Sequence, residues 1–442
     1  MRYIPHTESD VLEMLEAIGA PSVESLFESI PDSLRLKRRL ELPPALSEQE
    51  LIEELGALAA KNAHSESHDW FLGAGTYAHF IPSVVDTLLS RGEFLTAYTP
   101  YQPELSQGTL QAIFEWQTMM SSLAGVEVTN ASMYDGASAA AESALMAMRI
   151  TQRSKIVVAP GLHPHYRSVI ETITSGLRPE LVFLEDGASL EAAVDAETAA
   201  VLVQRPDFFG RVRDLSPLAR IAHDSGALMV AVVTEALSLG LLAAPGHQGA
   251  DIVCGEAQSF GVPMGLGGPH VGFLATQKKH VRQLPGRLAG ETVDARGRCG
   301  YVLTLSTREQ HIRRERATSN ICTNQGLCLL RATIYLSLLG RTGLRQLAEM
   351  NLAKAEYAKS RVRETPGIDL ADDTPTFNEF AVRVADSGEQ ALRRALEAGC
   401  VGGLDLAPVF PDREKQVLVC TTELTPGKAI DRLVLALAGA PS

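Results

Sequence analysis

The residues that suggest chemistry most strongly lie in the stretch "CGEAQSFGVPMGLGGPHVGF", residues 254–273. The apolar run that leads into it predicts a buried strand, and a short polar turn and a glycine-rich segment follow. A site that bonds covalently to a carbonyl compound at such a turn needs a primary amine, but the turn offers only Gln258 and Ser259. The nearest lysines, Lys278 and Lys279, lie in a hydrophilic stretch that predicts a solvated helix start. The chain therefore has the frame of a covalent site without its nucleophile.

Three other polar segments lie where ligands of open parallel sheets bind, at the ends of predicted strands or the starts of helices. Gly136 and Ser138 open a helix and could present N–H groups to a phosphate, or Ser138 could simply cap that helix. His163 could stack on a flat ring or be solvated in its loop. Glu235 could pair with a protonated ring nitrogen or be an ordinary acid at a strand end.

The elements that position these residues alternate between helix and strand from about residue 110 onward. Fully apolar strands between helices indicate a mostly parallel sheet that is covered on both faces. The predicted strands are residues 155–159, 181–184, 200–203, 228–233 and 251–254, and the predicted helices are residues 110–123, 139–150 and 215–225.

Two further regions flank this α/β body. A capping box at Thr7 starts a helix that stops at Gly19, and short helices are predicted at 22–30 and from Ser47 onward. They predict an N-terminal helical arm, residues 1–62. The large α/β domain is predicted at 63–323, and a long apolar helix at 324–339 begins a small α+β domain that ends at 442.

Composition narrows the function classes. The net charge of −13 argues against nucleic acid or an anionic membrane as the main partner. Six dispersed cysteines lack metal-ligand spacing, and the N-terminus lacks an apolar signal region, so we expect free thiols in the cytoplasm. The most apolar stretch, residues 227–245, contains Glu235, which favours a soluble core over a membrane span.

Four longer strings carry a family resemblance. Together with the order of the polar segments, they closely resemble the glycine decarboxylase P-protein of the glycine cleavage system. The strings are "FLTAYTPYQPELSQGTLQAIFEWQTMM" (94–120), "NASMYDGASAAAESALMA" (130–147), "GLGGPHVGF" (265–273) and "REQHIRRERATSNICTNQ" (308–325). The length and the N-terminal "YIPHTESDVLEMLEAIGAPSVESLF" resemble the alpha-subunit branch, subunit 1 of the split bacterial form.

The resemblance implies the pyridoxal-phosphate-dependent transferase fold of the aspartate-aminotransferase type. It also implies the activity of glycine dehydrogenase (aminomethyl-transferring), which decarboxylates glycine and passes the aminomethyl group to the lipoyl arm of H-protein. In the split form the beta subunit resembles the half with the cofactor lysine, and this chain departs from that pattern at Gln258 and Ser259. We therefore expect a chain that is inactive alone and binds no cofactor covalently, with pyridoxal phosphate in a partner beta subunit, as α2β2.

The resemblance divides the candidate residues into two sets. The vestigial cofactor pocket comprises Gly136, Ser138, His163, Glu235, Gln258 and Ser259. Residues expected to support the partner's active site across the interface are Tyr98, Tyr101, Gln102, Thr318, Ser319 and Asn320. The alternative for the second set is local turn chemistry, with two prolines that rigidify the loop 97–104 and Ser319-Asn320 capping the next helix.

Two other functions remain open. A self-sufficient pyridoxal-phosphate enzyme, such as a cysteine desulfurase, would use Cys322 as its nucleophile, although the missing lysine argues against it. Cys322 precedes the predicted apolar helix and Cys328 lies within it, which is typical of structural thiols. The second alternative is a non-enzymatic scaffold that binds H-protein or another partner.

Overall fold

The computed structural model describes residues 5–95, 98–322 and 325–440. The chain divides between Asn62 and Ala63 into two compact units. Three parts of the sequence predictions lie outside the described residues: Ala97 at the start of the predicted loop, Asn324 at the start of the predicted long helix, and the domain boundary after residue 323.

The N-terminal unit contains the helices α1 (Glu8–Ile18) and α2 (Glu48–Ala59). Capping boxes begin both helices, with Thr7 as the N-cap of α1 and Ser47 as the N-cap of α2. Gly19 ends α1 in the left-handed conformation, with φ of 68°. These start and stop signals confirm the sequence prediction.

The helix predicted at residues 22–30 is wrong in type. Only a 3-10 turn forms there, Glu24–Phe27. The Ser25 hydroxyl donates to the carbonyl of Ser22, and Ser22 Oγ accepts from the Ser25 N–H, so side chains compete for the backbone groups of this segment. A nucleus of this length is also too short to propagate an α-helix.

Within the residues that the structure describes, the strands form one large sheet, one small sheet and two two-stranded pairs. The strands are β1 (Asp69–Trp70), β2 (Val128–Thr129), β3 (Lys155–Val158), β4 (Glu180–Phe183), β5 (Thr198–Gln204), β6 (Leu228–Val233), β7 (Ile252–Glu256), β8 (Gly272–Thr276), β9 (Leu288–Val293), β10 (Cys299–Thr304), β11 (Ile368–Leu370), β12 (Glu379–Val384), β13 (Cys400–Val401), β14 (Leu404–Asp405) and β15 (Gln416–Cys420).

The large sheet has seven strands in the order β2-β8-β7-β6-β5-β3-β4. Strands β3 to β7 are parallel to one another, whereas β8 is antiparallel to both of its neighbours, β7 and β2. Alternate residues of β6 enter opposite cores: Met229 packs in one hydrophobic cluster and Val230 in the other. The predicted mostly parallel sheet with two buried faces is therefore confirmed.

Helices cover both faces of this sheet and one face of the small sheet. They are α3 (Ser83–Leu89), α4 (Gly92–Leu95), α5 (Gln107–Ala124), α6 (Gly136–Thr151), α7 (Pro164–Thr174), α8 (Leu190–Ala193), α9 (Ser216–Asp224), α10 (Gln310–Arg313), α11 (Gly326–Glu364), α12 (Gly388–Glu397) and α13 (Gly427–Ala438). Residues of α5, α9 and α11 lie in one core cluster, and residues of α6 and α7 lie in the other.

Helix α11 continues past the predicted end at residue 339. Gly340, with φ of 59°, kinks the helix there, and a second half leads into the four-stranded antiparallel sheet β11-β12-β15-β14. Among the described residues, α11 alone is long and apolar enough to cross a membrane, by length and composition. Core helices of soluble proteins share these properties, and Leu329 and Tyr335 of α11 are buried in the core cluster that also contains Met229.

One irregular segment lies between the two sheets. Strand β1 pairs in parallel with β13, and the chain then continues without helix or strand until α3 begins at Ser83. We call residues 73–80 of this stretch the inserted segment. It contacts the turn after β7 of the large sheet and Glu379 of β12 in the small sheet.

Candidate functional site

The turn after β7 places Gln258 where the sequence suggested a missing nucleophile. Its amide oxygen accepts the N–H of Tyr77 at 2.9 Å, and its nitrogen donates to the carbonyls of Tyr77 at 3.1 Å and Val262 at 2.7 Å. Gln258 is only 3% exposed, and the neighbouring Ser259 is also buried. The side chain that replaces an amine is therefore committed to holding the inserted segment.

Glu256, the last residue of β7, occupies the start of helix α6. Its carboxylate accepts backbone N–H groups from Gly136 at 3.0 Å, Gln258 at 3.0 Å and Val271 at 2.9 Å. His270 Nδ1 lies 3.6 Å from the same carboxylate, at ion-pair rather than hydrogen-bond distance. A carboxylate of the chain itself thus lies where an anion would meet this helix N-terminus.

The cap of helix α6 differs from the one expected. Asp135 is the N-cap, and its carboxylate accepts the N–H of Ser138 at 2.7 Å. Ser138 therefore contributes an N–H and does not cap the helix, which corrects that alternative. Gly136 fits tightly, since a Cβ there would lie 2.8 Å from the Glu256 nitrogen.

Glu235 is buried and pairs with a histidine of the inserted segment. Its Oε2 lies 3.1 Å from Nε2 of His79 and 3.2 Å from the amide nitrogen of Asn378. The other ring nitrogen of His79 lies 2.9 Å from Glu423. Ionised carboxylates only accept hydrogen bonds, so both ring nitrogens donate and His79 is an imidazolium.

The charge state of His79 follows from opposing effects. Burial disfavours the charged ring, but the charges of Glu235 and Glu423 and their hydrogen bonds raise the pKa of His79 to about 9. Burial also acts on Glu423, yet the hydrogen bond and charge of His79 lower the pKa of that carboxyl. The three side chains form a buried ion triad in which one cation lies between two acids.

His163 is buried, not solvated. Its Nε2 donates to the carbonyl of Ala74 at 2.9 Å, and its Nδ1 accepts the N–H of His165 at 3.1 Å. Burial lowers the pKa of His163 to about 4, so the ring is neutral. The edge of the ring packs against Phe208, with centroids 4.9 Å apart.

The small sheet holds the other side of the inserted segment. Glu379 of β12 accepts the N–H of Ala74 at 2.6 Å and the hydroxyl of Tyr77 at 2.7 Å. Burial raises the pKa of Glu379 to about 7. Glycines permit the close approach: a Cβ at Gly73 would clash with this carboxylate, and Gly75, with φ of 95°, lies against the His163 ring.

Sequence reasoning missed the inserted segment. In the structure, this segment connects the predicted pocket residues: it contacts Gln258 through Tyr77, Glu235 through His79 and His163 through Ala74. The available signal was the string "FLGAGTYAHF", in which two glycines and small residues precede a tyrosine and a histidine. The glycines indicate that the backbone packs closely against another part of the protein. The string does not show which residues it packs against.

The second predicted set lies at the surface. Tyr98 is 78% exposed, Tyr101 is 54% exposed, and Gln102 is also exposed. The Tyr101 hydroxyl accepts from Arg287 at 2.8 Å, and the guanidinium lies 4.8 Å from the centre of its ring. Arg287 is only 4% exposed, so a buried cation anchors an exposed aromatic side chain.

Arg287 also contacts residues on either side of the segment 318–320 in sequence. It pairs with Glu309 at 3.1 Å and donates to Cys322 Sγ at 3.4 Å, close in sequence to Asn320. A cavity of about 270 Å³ next to it is mainly apolar and is lined by residues that include Tyr98, Arg287, Ile113, Leu303, Leu329 and Leu330.

The other members of the set have local partners. The N–H of Thr318 donates to the carbonyl of Arg308, Ser319 Oγ accepts the N–H of Ile321, and Asn320 is exposed. Helix α11 begins only at Gly326 with Gln325 as its N-cap, so capping by Ser319 and Asn320 is wrong.

Groups of three or more potential metal ligands are absent from the residues that the structure describes. Lys278 and Lys279 are exposed in a 3-10 helix, and Lys279 lies 3.9 Å from Asp251. Neither lysine has a described contact with Gln258.

Comparison with known proteins supports one family. The sequence profile described as "Glycine cleavage system P-protein" matches residues 1–437. A protein of Anaeromyxobacter dehalogenans named "Probable glycine dehydrogenase (decarboxylating) subunit 1" is 54% identical, over 96% of this chain and 97% of its own. The protein of the same name from Desulforamulus reducens is 48% identical, over 99% of both chains.

A solved structure gives the same result. A crystal structure of glycine decarboxylase (P-protein) of the glycine cleavage system, in inhibitor-bound form, superposes with a TM-score of 0.90. It is 47% identical to this chain, and the match covers 99% of this chain and 100% of the other. The predicted fold class is therefore confirmed over the whole chain.

Proposed function

Since the chain belongs to the glycine cleavage system P-protein family, we propose that it is the cofactor-free alpha subunit of a split glycine decarboxylase. A beta subunit would carry the pyridoxal phosphate, and the two would assemble in the cytoplasm as α2β2. The relatives are named subunit 1, which implies at least one other subunit. Glycine and a lipoylated H-protein would be the substrates of the complex.

The observation that carries this proposal is the commitment of Gln258. Its amide makes three hydrogen bonds to backbone groups in a buried turn, and a carboxamide cannot form a Schiff base. Lys278 and Lys279, the nearest lysines in sequence, are exposed. The lack of a lysine in the turn at Gln258 also argues against a self-sufficient desulfurase with Cys322 as nucleophile, because that enzyme would need the cofactor lysine as well.

The contribution of this chain to the reaction would then be made across the interface. When bound in the beta subunit, pyridoxal phosphate supplies the electron sink that decarboxylation of glycine requires. Tyr98, Tyr101 and Gln102, together with Thr318, Ser319 and Asn320, would line that subunit's pocket, orient glycine and exclude water. Exposed tyrosines with a polar tip are typical of interfaces, which supports this role.

The anchoring of Tyr101 supports the same role. Pro100 and Pro103 restrict the backbone on both sides, and Arg287 holds the hydroxyl and the ring from below. Little conformational entropy is then lost when the loop meets a partner. A loop with only a local structural role would not need to present its aromatic side chains to solvent.

The test is to purify the chain with and without the matching beta subunit and to measure visible absorbance, mass and glycine-dependent carbon dioxide exchange. Alone, the chain is expected to be colourless and inactive, and the mixture is expected to be active as a complex. A cofactor band that belongs to a lysine of this chain would refute the proposal. A scaffold without an enzymatic role would leave the exchange rate of the beta subunit unchanged.

A further inference from the structure

Pyridoxal phosphate makes three demands on a protein of this fold. Its phosphate needs free N–H groups, commonly at a helix N-terminus, its ring nitrogen needs an acid, and its aldehyde needs an amine. In this chain each of the three positions already has a partner from the chain itself, so the residues present do not fit the cofactor.

The phosphate position is taken by Glu256. Its buried carboxylate accepts the N–H groups of Gly136, Gln258 and Val271, all at 2.9 to 3.0 Å. Asp135 takes the N–H of Ser138 in the same helical turn. A phosphate group brought to this helix start would lose these donors and would be repelled by two carboxylates.

The ring position is taken by His79. This side chain pairs with both Glu235 at 3.1 Å and Glu423 at 2.9 Å, and all three side chains are at most 6% exposed. Asn378 supplies a further donor to Glu235. A cofactor ring could reach Glu235 only by displacing a buried cation and leaving Glu423 without its partner.

The amine position is closed by the inserted segment. Gln258 holds Tyr77 through hydrogen bonds in both directions, and Glu379 holds the same tyrosine from the small sheet. Both sheets therefore clamp residues 73–80 in place. The segment cannot leave without breaking bonds to both.

We infer that this pocket is filled by Glu256 and by the inserted segment, which includes His79. The pocket therefore excludes pyridoxal phosphate even when a lysine is introduced at position 258. The loss of the lysine is one of three barriers, not the only one. The polar groups of the frame remain hydrogen-bonded to partners within the chain. The inference shares with the proposed function only the premise that the chain lacks a cofactor.

The first experiment measures pyridoxal phosphate binding to the full-length chain. Wild type and Gln258→Lys are incubated with the cofactor, reduced with borohydride and analysed by absorbance and mass. Neither is expected to retain cofactor at position 258. Gln258→Met, which removes the same hydrogen bonds without adding an amine, controls for folding by circular dichroism. One equivalent of cofactor fixed at position 258 in the Gln258→Lys variant would overturn the inference.

A second measurement uses the wild-type chain, so it decides even if Gln258→Lys fails to fold. The chain is labelled with 15N-histidine, and His79 is assigned by its loss in His79→Gln. Both ring nitrogens are expected to carry protons at pH 8, with signals unchanged by excess pyridoxal phosphate or inorganic phosphate. A neutral ring, or a saturable shift with either ligand, would overturn the inference. Carbon dioxide exchange with the beta subunit tests the proposed function separately.

Discussion

The Nε2 atom of His79 lies 3.1 Å from Oε2 of Glu235, so a histidine of the inserted segment neutralises the acid that follows β6. The two residues are 156 positions apart in sequence, and Glu423, which follows β15 of the small sheet, completes the triad. The triad joins the end of β6 in the large sheet to the end of β15 in the small sheet. Removing the charge of His79 would leave buried carboxylates without their cation and lower the stability of the fold.

The first prediction concerns the pH dependence of this triad. The folded pKa of His79, about 9, lies above its ordinary value of 6.5, so its stabilisation is complete below pH 6.5 and is lost as pH rises through 9. The whole effect is about 3 kcal/mol in the free energy of unfolding. His79→Gln should therefore be less stable than wild type at pH 6.5, by a difference that shrinks toward pH 9.5.

Denaturant unfolding at several pH values measures this difference. Other ionisable groups face the same carboxylates, namely Tyr77, Tyr335, Glu379 and Cys420, so each variant is compared with wild type at the same pH. A difference that does not change between pH 6.5 and 9.5 would contradict an imidazolium at this position.

The second prediction concerns Glu379. Burial raises its pKa from 4.5 to about 7, so folding favours the protonated form and the wild type loses stability as pH rises from 4.5 through 7. Glu379→Gln keeps an acceptor for the Ala74 N–H and removes this titration. Relative to wild type, the variant should gain about 3 kcal/mol between pH 4.5 and 8. Parallel stability curves for the two proteins would disprove the assignment.

The third prediction tests the tight fit of Gly136. An alanine Cβ there would lie 2.8 Å from the Glu256 nitrogen and would also clash with the Tyr166 hydroxyl. Gly136→Ala should lower the free energy of unfolding by about 1–3 kcal/mol. Gly108→Ala is the matched control, because Gly108 also lies near a helix start and has open space around it. Equal stability of the two variants would contradict close packing of Gly136 against Glu256 and Tyr166.

The fourth prediction concerns the loop that presents Tyr101. Tyr101→Ala and Gln102→Ala should leave the chain folded and able to bind the beta subunit, yet lower glycine-dependent carbon dioxide exchange by about 10- to 100-fold. Tyr357→Ala, at a partly exposed tyrosine of α11 that bonds Asp431, is the control. If both variants assemble with the beta subunit and exchange carbon dioxide at the wild-type rate, the loop is purely structural. If they fail to assemble, the loop is an interface contact.

The fifth prediction concerns the anchor beneath that loop. Arg287→Met leaves the carboxylate of Glu309, which is 4% exposed, without its cation, and should cost about 3 kcal/mol of stability. The double variant Arg287→Met with Glu309→Gln should recover much of this loss, because no buried charge then lacks a partner. Denaturant unfolding of wild type, Arg287→Met, Glu309→Gln and the double variant gives the coupling energy, and strictly additive losses would contradict the pairing.

The sequence by itself determined the architecture of the large sheet and showed that the turn after β7 has no amine. Apolar runs such as β5 and β6 predicted a sheet buried on both faces, because each strand has to satisfy two cores. The capping box at Thr7 predicted a helix start, because its bonds span only three residues. The absence of an amine at position 258 required no structure at all.

Only the tertiary structure decided what fills the pocket. Tyr77 meets Gln258 across 181 residues and Glu379 across 302, and neither periodicity nor local propensity carries information over such separations. The same limit explains why Glu256 was not recognised within the opening stretch, since its role depends on a helix start 120 residues earlier. Local patterns determine which segments become strands and helices, but the partner of a buried charge is chosen by where those elements pack.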